Sequence, residues 1–444
     1  MALTRPPLVF LFLVLACDRP GTPDQASPPK PATSPAGPQL GGLRQLALQT
    51  PPGQGPIEAR ILELQELVRR QPDKHDAWIL LGRTWIQKAR QAADPGFYAN
   101  ADACADVALE LRPEHPLGLD LRALVLMNAH RFADARDLAR RALAKDPDDL
   151  MALGNLSDAL LELGDFAAAK EVTQQMINLR PGLPSYSRAA HLRFLAGDNV
   201  GAKQLYRLAM DAGQGSKDTE PLAWVTVEAA KIFLVEGNLE AAEAGFLRAL
   251  DTFRDHPAAL AGLARVRLAQ GKFEESAELA GRSFLLSALA ETAWLHGDTL
   301  TQAGRVDEAK LAYAKVKRLG EHGEGRVWAA FLAARDEAPE QALSTAQAEL
   351  QIRGEPYTHD AHAWALYRTG ALQEAKAAIE RATTHGTRDP LLLFHQGAIR
   401  LAVGDRGGCE LLREARRLGL HFPIAAALEL SRLSARCAPS ASAG

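Results

Sequence analysis

The 444-residue chain is short of cysteine, of net charge and of long apolar runs, and each shortage excludes a class of function. It has only four cysteines, and none is paired with a histidine in a supporting catalytic motif. A net charge of −3 excludes a basic surface over the whole chain, so we expect no nucleic-acid partner. The nine-residue apolar run at 8–16 is too short for a membrane-spanning helix, which needs roughly 20 residues.

Other catalytic and ligand-binding signatures are missing as well. There is no Gly-x-Ser-x-Gly elbow, and the glycine-rich stretch 320–325 carries acidic residues and follows no strand, which argues against a phosphate site. His359 and His362 could share a helix face, but a zinc site needs three or four suitable ligands. We therefore expect no metal, no cofactor and no enzymatic activity, with an unrecognised active site as a remaining alternative.

The first residues are typical of a targeting signal. Arg5 precedes the apolar run, and this run leads directly into Cys17. The stretch Val-Leu-Ala-Cys resembles the bacterial lipobox, in which the cysteine becomes lipidated. We predict a signal peptide at 1–16 and a lipid anchor on Cys17, at a bacterial membrane on the periplasmic side or the cell surface. An ordinary secretory signal followed by a chance cysteine is the alternative.

Residues 17–56 are predicted to be a disordered tether. Ten of the 39 residues from 18 to 56 are proline, and no apolar periodicity is present. Such a segment buries too little apolar surface to offset the entropy of ordering it. We therefore expect a deletion of residues 20–54 to leave the thermal stability unchanged.

A period of 34 residues fills the rest of the chain. Pro113, Pro147 and Pro181 follow one another at intervals of 34. Glycines recur at similar intervals, with one interval of 66 that indicates a lost marker, at Gly164, Gly197, Gly237, Gly271, Gly304, Gly370 and Gly404. A helical period of this length predicts a solenoid of stacked units, because one unit cannot bury its own apolar face.

Residues 150–182 illustrate the unit. Leucines at helical spacing, from Leu153 to Leu163, predict a first helix, and Gly164 ends it because glycine adopts a positive φ without steric cost. A second apolar stripe begins at Phe166, and Pro181 closes the unit because proline cannot continue a helix.

These positions resemble the tetratricopeptide repeat. The same pattern of aromatic, small and turn residues recurs from Trp78 to Ala382, and the resemblance spans roughly residues 75–425. The stretches 180–198 and 386–405 further resemble a widespread group of bacterial tetratricopeptide proteins. The resemblance implies an all-α, right-handed superhelical solenoid of about ten helix–turn–helix repeats, wound through roughly one full turn.

The resemblance also implies an organisation for the chain. We predict an N-terminal capping helix at 57–74, the solenoid at 75–422, a C-terminal capping helix at 423–437 and a disordered tail at 438–444. Terminal units need caps because an open solenoid end exposes its core. Residues 211–221 and 324–354 depart from the repeat and are expected to be more flexible.

In this fold the first helix of each repeat lines a concave groove that binds a protein or peptide. The positions facing the groove are predicted to be Asp120, Asn128, Asp158, Glu162, His191, Lys231, Arg265, Asp298, Trp364 and Tyr367. We expect a non-catalytic, membrane-anchored scaffold for one or more envelope proteins. An accessory subunit that recruits substrates to an envelope enzyme or an assembly machine is the alternative.

Cys409 and Cys437 are candidates for a disulfide. Cys409 lies on the second helix of the last repeat and Cys437 just after the capping helix, so a bond would pin the cap. The alternative is that Cys409 is a small buried residue and Cys437 is free.

Overall fold

The computed structural model describes residues 40–321 and 323–437, and these residues form 23 α-helices and no strand. The first two helices are α1 (Leu40–Ala47) and α2 (Pro56–Arg70), and the last is α23 (Ile424–Ala435). The twenty helices between them form ten consecutive pairs. The prediction of an all-α solenoid of about ten repeats with terminal helices is therefore confirmed.

We number the pairs as repeats 1 to 10 and call the first helix of each pair the inner helix. The inner helices are α3 (His75–Ala92), α5 (Pro116–Asn128), α7 (Leu150–Glu162), α9 (Leu183–Leu195), α11 (Glu220–Val235), α13 (Pro257–Ala269), α15 (Ala290–Gln302), α17 (Gly325–Arg335), α19 (Pro356–Arg368) and α21 (Pro390–Ala402). The outer helices are α4 (Tyr98–Leu111), α6 (Phe132–Leu143), α8 (Phe166–Leu179), α10 (Asn199–Gly213), α12 (Leu239–Thr252), α14 (Phe273–Leu286), α16 (Val306–Gly320), α18 (Pro339–Glu349), α20 (Leu372–Ala382) and α22 (Gly408–Leu418).

Every repeat turns between its two helices through a residue with a positive φ, and repeat 8 has a second such residue, Ala338, with φ of 44°. Seven of these residues are the glycines of the sequence period, with φ between 73° and 85°. In repeats 1, 2 and 8 the position is taken by Ala93, His130 and Asp336, with φ of 50°, 56° and 56°. Asp336 is the marker missing from the interval of 66, and aspartate tolerates this conformation better than most residues.

The packing between helices depends on small residues that face large ones. Gly262 on α13 lies under the ring of Phe246, and a Cβ at this glycine would meet the ring at 2.2 Å. Phe246 is itself fully buried, and so are the outer-helix alanines Ala242 and Ala249 beside it. The repeat therefore alternates large and small side chains so that neighbouring helices interdigitate.

The solenoid coils far enough for one turn of the superhelix to contact the next. The Gly354 N–H donates a hydrogen bond to the Glu162 carbonyl at 2.8 Å. Thr387 Oγ1 donates to the Leu195 carbonyl at 2.6 Å, across 192 residues of sequence. This separation is between five and six repeats, so ten repeats complete more than the single turn we expected. We call this line of contacts the seam.

The predicted tether boundary at residue 56 is wrong for residues 40–56. Here α1 packs against α4, and Ala47 is completely buried. Three side chains donate hydrogen bonds to backbone carbonyls at the end of α1, at 2.8 to 3.1 Å, namely Gln65, Trp85 and Asn100. A deletion of 20–54 would therefore remove part of the folded unit. Residues 17–39, Cys17 and the signal peptide lie outside the described residues.

The irregular segments of the repeat are also folded. Residues 324–354 contain the pair α17 and α18, each of 11 residues. The long connection before α11 reaches repeat 1, where Gln91 Nε2 donates to Asp218 at 3.1 Å. The extra length of this connection therefore bridges two repeats that are distant in sequence.

The C-terminal helix covers the last repeats, as predicted for a cap. α23 packs against α21 and α22, and Cys437 is joined to Cys409 on α22 by a disulfide. Arg368 at the end of α19 forms an ion pair with Glu429 of α23 at 2.5 Å. The predicted tail, 438–444, lies outside the described residues. Among the described helices, none combines the length and apolar character that crossing a bilayer requires.

Candidate binding channel

The inner helices of repeats 4 to 10 surround a cavity of about 420 Å³. Its walls come almost entirely from inner helices, with Tyr206 of α10 and residues 419–423 as additions. The wall is largely apolar and aromatic, and its large side chains include Phe194, Trp294, Trp364 and Phe422. The coiling of the solenoid thus turns part of the concave face into a partly enclosed cavity, which we call the channel.

Residues 419–423 close one side of this channel. The ring of Phe422 lies 5.3 Å from the ring of Trp294, and the guanidinium of Arg265 lies 4.9 Å from the Phe422 ring. The next residue but one, Ile424, donates its N–H to Asp298 Oδ2 at 2.8 Å. The segment that leads into the cap is therefore held against the inner helices of repeats 6 and 7.

Most charged side chains in the channel wall and beside it lie in pairs, mostly between neighbouring inner helices. Asp389 also lines the channel, and it accepts the Leu391 N–H instead. The pairs and their distances are Asp158–Arg188 at 2.6 Å, Lys231–Glu228 at 2.7 Å, Arg265–Glu291 at 2.5 Å, Arg326–Glu355 at 2.9 Å and Asp360–His395 at 2.9 Å. In each pair a basic group lies beside an acidic one, so the pairs create no patch of one sign. Most of them also connect the inner helices of successive repeats.

Burial and neighbouring charges shift the pKa values of several groups in and near the channel. Burial alone would raise the pKa of Glu291, but the neighbouring Arg265 outweighs it and the pKa is lowered. Asp298 is 4% exposed, and burial raises its pKa to about 6 in spite of the bonds donated by Ile424 and Tyr313. Burial lowers the pKa of His191, so this imidazole is neutral at physiological pH.

Four of the ten predicted groove residues line the channel: His191, Lys231, Arg265 and Trp364. However, Lys231 and Arg265 are not a free basic patch, because each is paired with a glutamate. Trp364 is not an exposed anchor either, since it is 1% exposed and stacks on His395 at 4.0 Å.

The other predicted residues lie elsewhere. Asp120 and Asp298 are buried within the fold, and burial together with nearby Asp149 raises the pKa of Asp120 to about 8. Glu162 lies at the seam, where Arg353 is 3.6 Å away. The remaining three are the paired Asp158, the exposed Asn128 at the end of α5 and the half-buried Tyr367 beside Trp364.

Sequence reasoning missed Glu291, Arg326, Asp360 and His395 as channel residues. A signal for them was present. Asp360 and His395 are 35 residues apart, close to one period, and residues one period apart occupy adjacent positions on neighbouring inner helices. A carboxylate and an imidazole at this spacing predict a contact in the channel wall.

The helix pairs and the positive-φ turns agree with the comparison of the sequence with known families. Residues 121–184 and 227–291 match the family model described as tetratricopeptide repeat. The chain contains tetratricopeptide repeats. The other repeats are also pairs of helices, of 11 to 18 residues each, joined by a turn with a positive φ.

Two curated relatives resemble this repeat protein in part. Cellulose synthase operon protein C of Xanthomonas axonopodis is 27% identical over 308 residues, which is 62% of this chain and 19% of that protein. The formate-dependent nitrite reductase complex subunit NrfG of Escherichia coli O157:H7 is 30% identical over 141 residues, 31% of this chain and 65% of that protein. The chain thus spans less than two thirds of either relative.

Solved structures share the fold at low similarity. A thermophilic repeat protein of Thermus thermophilus aligns with 42% of this chain and 99% of its own, at 20% identity and a TM-score of 0.37. The human IFIT1 dimer with PPP-AAAA aligns with 85% of this chain and 94% of its own, at 13% identity and a TM-score of 0.46. Likenesses of this size carry no information about function.

Proposed function

We propose that this protein is a non-catalytic scaffold that binds a segment of a partner protein in the channel of its solenoid. The observation that carries the proposal is the cavity of about 420 Å³ walled by seven consecutive inner helices. Concave faces of helical repeats are extended binding surfaces. Because the wall is mainly apolar and most of its charged side chains are already paired, the segment that fits best presents apolar or aromatic side chains.

Filling the cavity tests this proposal. Ala330 lines the channel, so Ala330→Trp places a large side chain there without a change of charge. Ala244 is exposed on the outer helix α12, and Ala244→Trp is the matched control. After crosslinking in intact cells and identification by mass spectrometry, we expect the partner to be lost with Ala330→Trp and retained with Ala244→Trp. Equal capture by two variants of equal melting temperature would contradict the proposal.

We further propose that the protein is anchored to a bacterial envelope membrane through lipidated Cys17. Support comes from the apolar run at 8–16 and the lipobox-like residues that precede the cysteine. A proline-rich segment between Cys17 and α1 would separate the solenoid from the membrane. Labelling with a fatty-acid analogue should be strong in the natural chain and absent after Cys17→Ala. Equal labelling of both chains would rule out this anchor.

An accessory subunit of an envelope enzyme is a second candidate. It is favoured by the two curated relatives, since one is a subunit of a reductase complex and the other the product of a synthase operon. The crosslinking experiment distinguishes the candidates by the identity of the partner. Recovery of enzyme subunits would favour the accessory role, and recovery of non-enzymatic envelope proteins would favour the scaffold.

A further inference from the structure

A cluster of metal-ligating side chains lies outside the channel, where repeats 1 and 2 meet. His75 begins α3, Asp76 follows it, and His115 immediately precedes α5. One potential ligand atom from each side chain lies within 4.8 Å of the other two. The two imidazole rings are in direct contact, with centroids 4.3 Å apart.

Both histidines have a buried ring nitrogen without a hydrogen-bond partner. His75 is 5% exposed, and its Nε2 lies 2.9 Å from Asp76 Oδ1 but not in hydrogen-bonding geometry. His115 Nδ1 is also buried and unpartnered. Buried polar atoms normally have partners, because leaving one unsatisfied costs free energy. These two atoms are therefore available to a bound ligand.

A second histidine, His256, shows the helix-capping role that a histidine can have at the position of His115. His256 occupies the same position before α13, and each of the two histidines is followed by proline. His256 Nδ1 caps its own helix by accepting the Ala259 N–H at 3.4 Å. His115 makes no such capping bond and contacts His75. The difference indicates that His115 is placed for an interaction with the neighbouring repeat.

The chemistry of the three groups suits a divalent transition-metal ion. Two imidazoles and a carboxylate are ligands that Zn²⁺ accepts, and in a tetrahedral site with bonds of about 2.0–2.1 Å the ligand atoms lie roughly 3.3 Å apart. The 2.9 Å between His75 Nε2 and Asp76 Oδ1 is close to this spacing. The side chain of Asp76 is 57% exposed, which leaves the cluster open to solvent on one side. Arg112 contributes an opposing positive charge near His75, so the site depends on the Asp76 carboxylate.

We propose that His75, Asp76 and His115 bind one divalent transition-metal ion of the Zn²⁺ class. The ion joins the inner helices of the first two repeats, because His75 comes from one and His115 from the other. This proposal is independent of the binding channel. It also differs from our expectation, from the sequence, that the chain has no metal site.

Calorimetric titration of the full chain carrying Cys17→Ala with Zn²⁺ tests the proposal. We expect one equivalent to bind and a rise in melting temperature that grows with the Zn²⁺ concentration. His75→Gln and His115→Gln should each weaken binding at least tenfold. His256→Gln, which changes the matched histidine, should leave both the affinity and the stoichiometry unchanged.

The exposed ligand provides a test that does not threaten the fold. Asp76→Ala should keep the helical content and the metal-free melting temperature, yet weaken Zn²⁺ binding at least tenfold. Visible absorption of bound Co²⁺ should likewise be lost in this variant. The proposal is overturned if the starting chain shows no saturable binding, or if the Asp76 and His75 variants bind as tightly as the His256 variant.

Discussion

Two groups of repeats in this protein have the same turn and different surroundings. The glycine turns of repeats 3 to 5 press against the next turn of the superhelix. A Cβ at Gly164, Gly197 or Gly237 would lie 2.7, 2.3 or 2.8 Å from the carbonyl oxygen of Gly354, Gly386 or Leu418. The turns of repeats 6, 7, 9 and 10 have no atom within 4 Å of that position, at Gly271, Gly304, Gly370 and Gly404. The same glycine turn therefore packs against another turn of the superhelix in one group of repeats and has open space beside it in the other.

The difference reflects what packs against each group in the described part of the chain. The turns of repeats 6 and 7 have no seam contact. Residues 419–423 and α23 instead contact the inner helices there, through Phe422 on Trp294 and Ile424 on Asp298. The seam thus holds the earlier repeats, while the cap and its disulfide hold the later ones.

The largest expected effect comes from alanine in a seam turn. Gly197→Ala combines the strain of a left-handed residue, about 1–2 kcal/mol, with an overlap against the Gly386 backbone that adds about 1–3 kcal/mol. Gly304→Ala has the same strain and open space around it. We expect the melting temperature to fall clearly further with Gly197→Ala. Equal losses would show that the seam contributes nothing to stability.

Breaking the disulfide should destabilise the C-terminal repeats and the cap by a similar free energy. Cys409 and Cys437 are 28 residues apart, and a loop of this length predicts a stabilisation of about 3.6 kcal/mol. Cys437→Ser should lower the melting temperature of the C-terminal repeats and increase hydrogen exchange in α23. Non-reducing mass spectrometry of the natural chain establishes whether the bond forms in the cell. A free thiol at both positions would contradict the prediction.

The cap should also respond to pH through Asp298. Its pKa is raised to about 6 in the folded protein from about 3.8, so the native state binds more protons in this range and stability falls as the pH rises through it. Above pH 7 the ionised carboxylate costs about 3 kcal/mol. Asp298→Asn removes this cost, so the variant should gain melting temperature over the natural chain at pH 8 and little at pH 4. The same gain at both pH values would exclude a raised pKa.

The smallest effect is expected for the side-chain hydrogen bond from Thr387 to Leu195 across the seam. Thr387→Val removes the bond to Leu195 and leaves that carbonyl unsatisfied, at a cost of about 1–2 kcal/mol. Thr384 bonds only within its own helix region, to Glu380, and is exposed, so Thr384→Val is the control. The difference in melting temperature between the two variants measures the bond. No difference would indicate that water replaces it.

Prediction from the sequence succeeded where the structural signal is local and periodic. The glycines, the prolines and the apolar stripes recur in phase, and they specified the helix pairs and the number of repeats. It failed at α1, because a short helix in a segment rich in proline and glycine has too few apolar residues for a visible period. Only Gln65, Trp85 and Asn100, which are distant in sequence, show that residues 46–49 are bound.

The same limit applies to the channel. The sequence predicted which positions of the inner helices face the concave side. Four of these residues line the cavity, namely His191, Lys231, Arg265 and Trp364. It could not show that Lys231 and Arg265 are neutralised or that Trp364 is buried, because their partners are set by the rotation of one repeat against the next. The meeting of His75 with His115 depends on the same rotation.

The sequence by itself determined the unit of this protein: a helix pair, a left-handed turn and an apolar stripe on each helix, each dictated by residues within 34 positions. The tertiary structure decided how tightly the units coil, and hence which turns meet at the seam, which charges pair and whether the concave face is open or enclosed. The physical reason is that small rotations between successive repeats add up along the solenoid. Whether Thr387 reaches Leu195 depends on their sum, which no single repeat encodes.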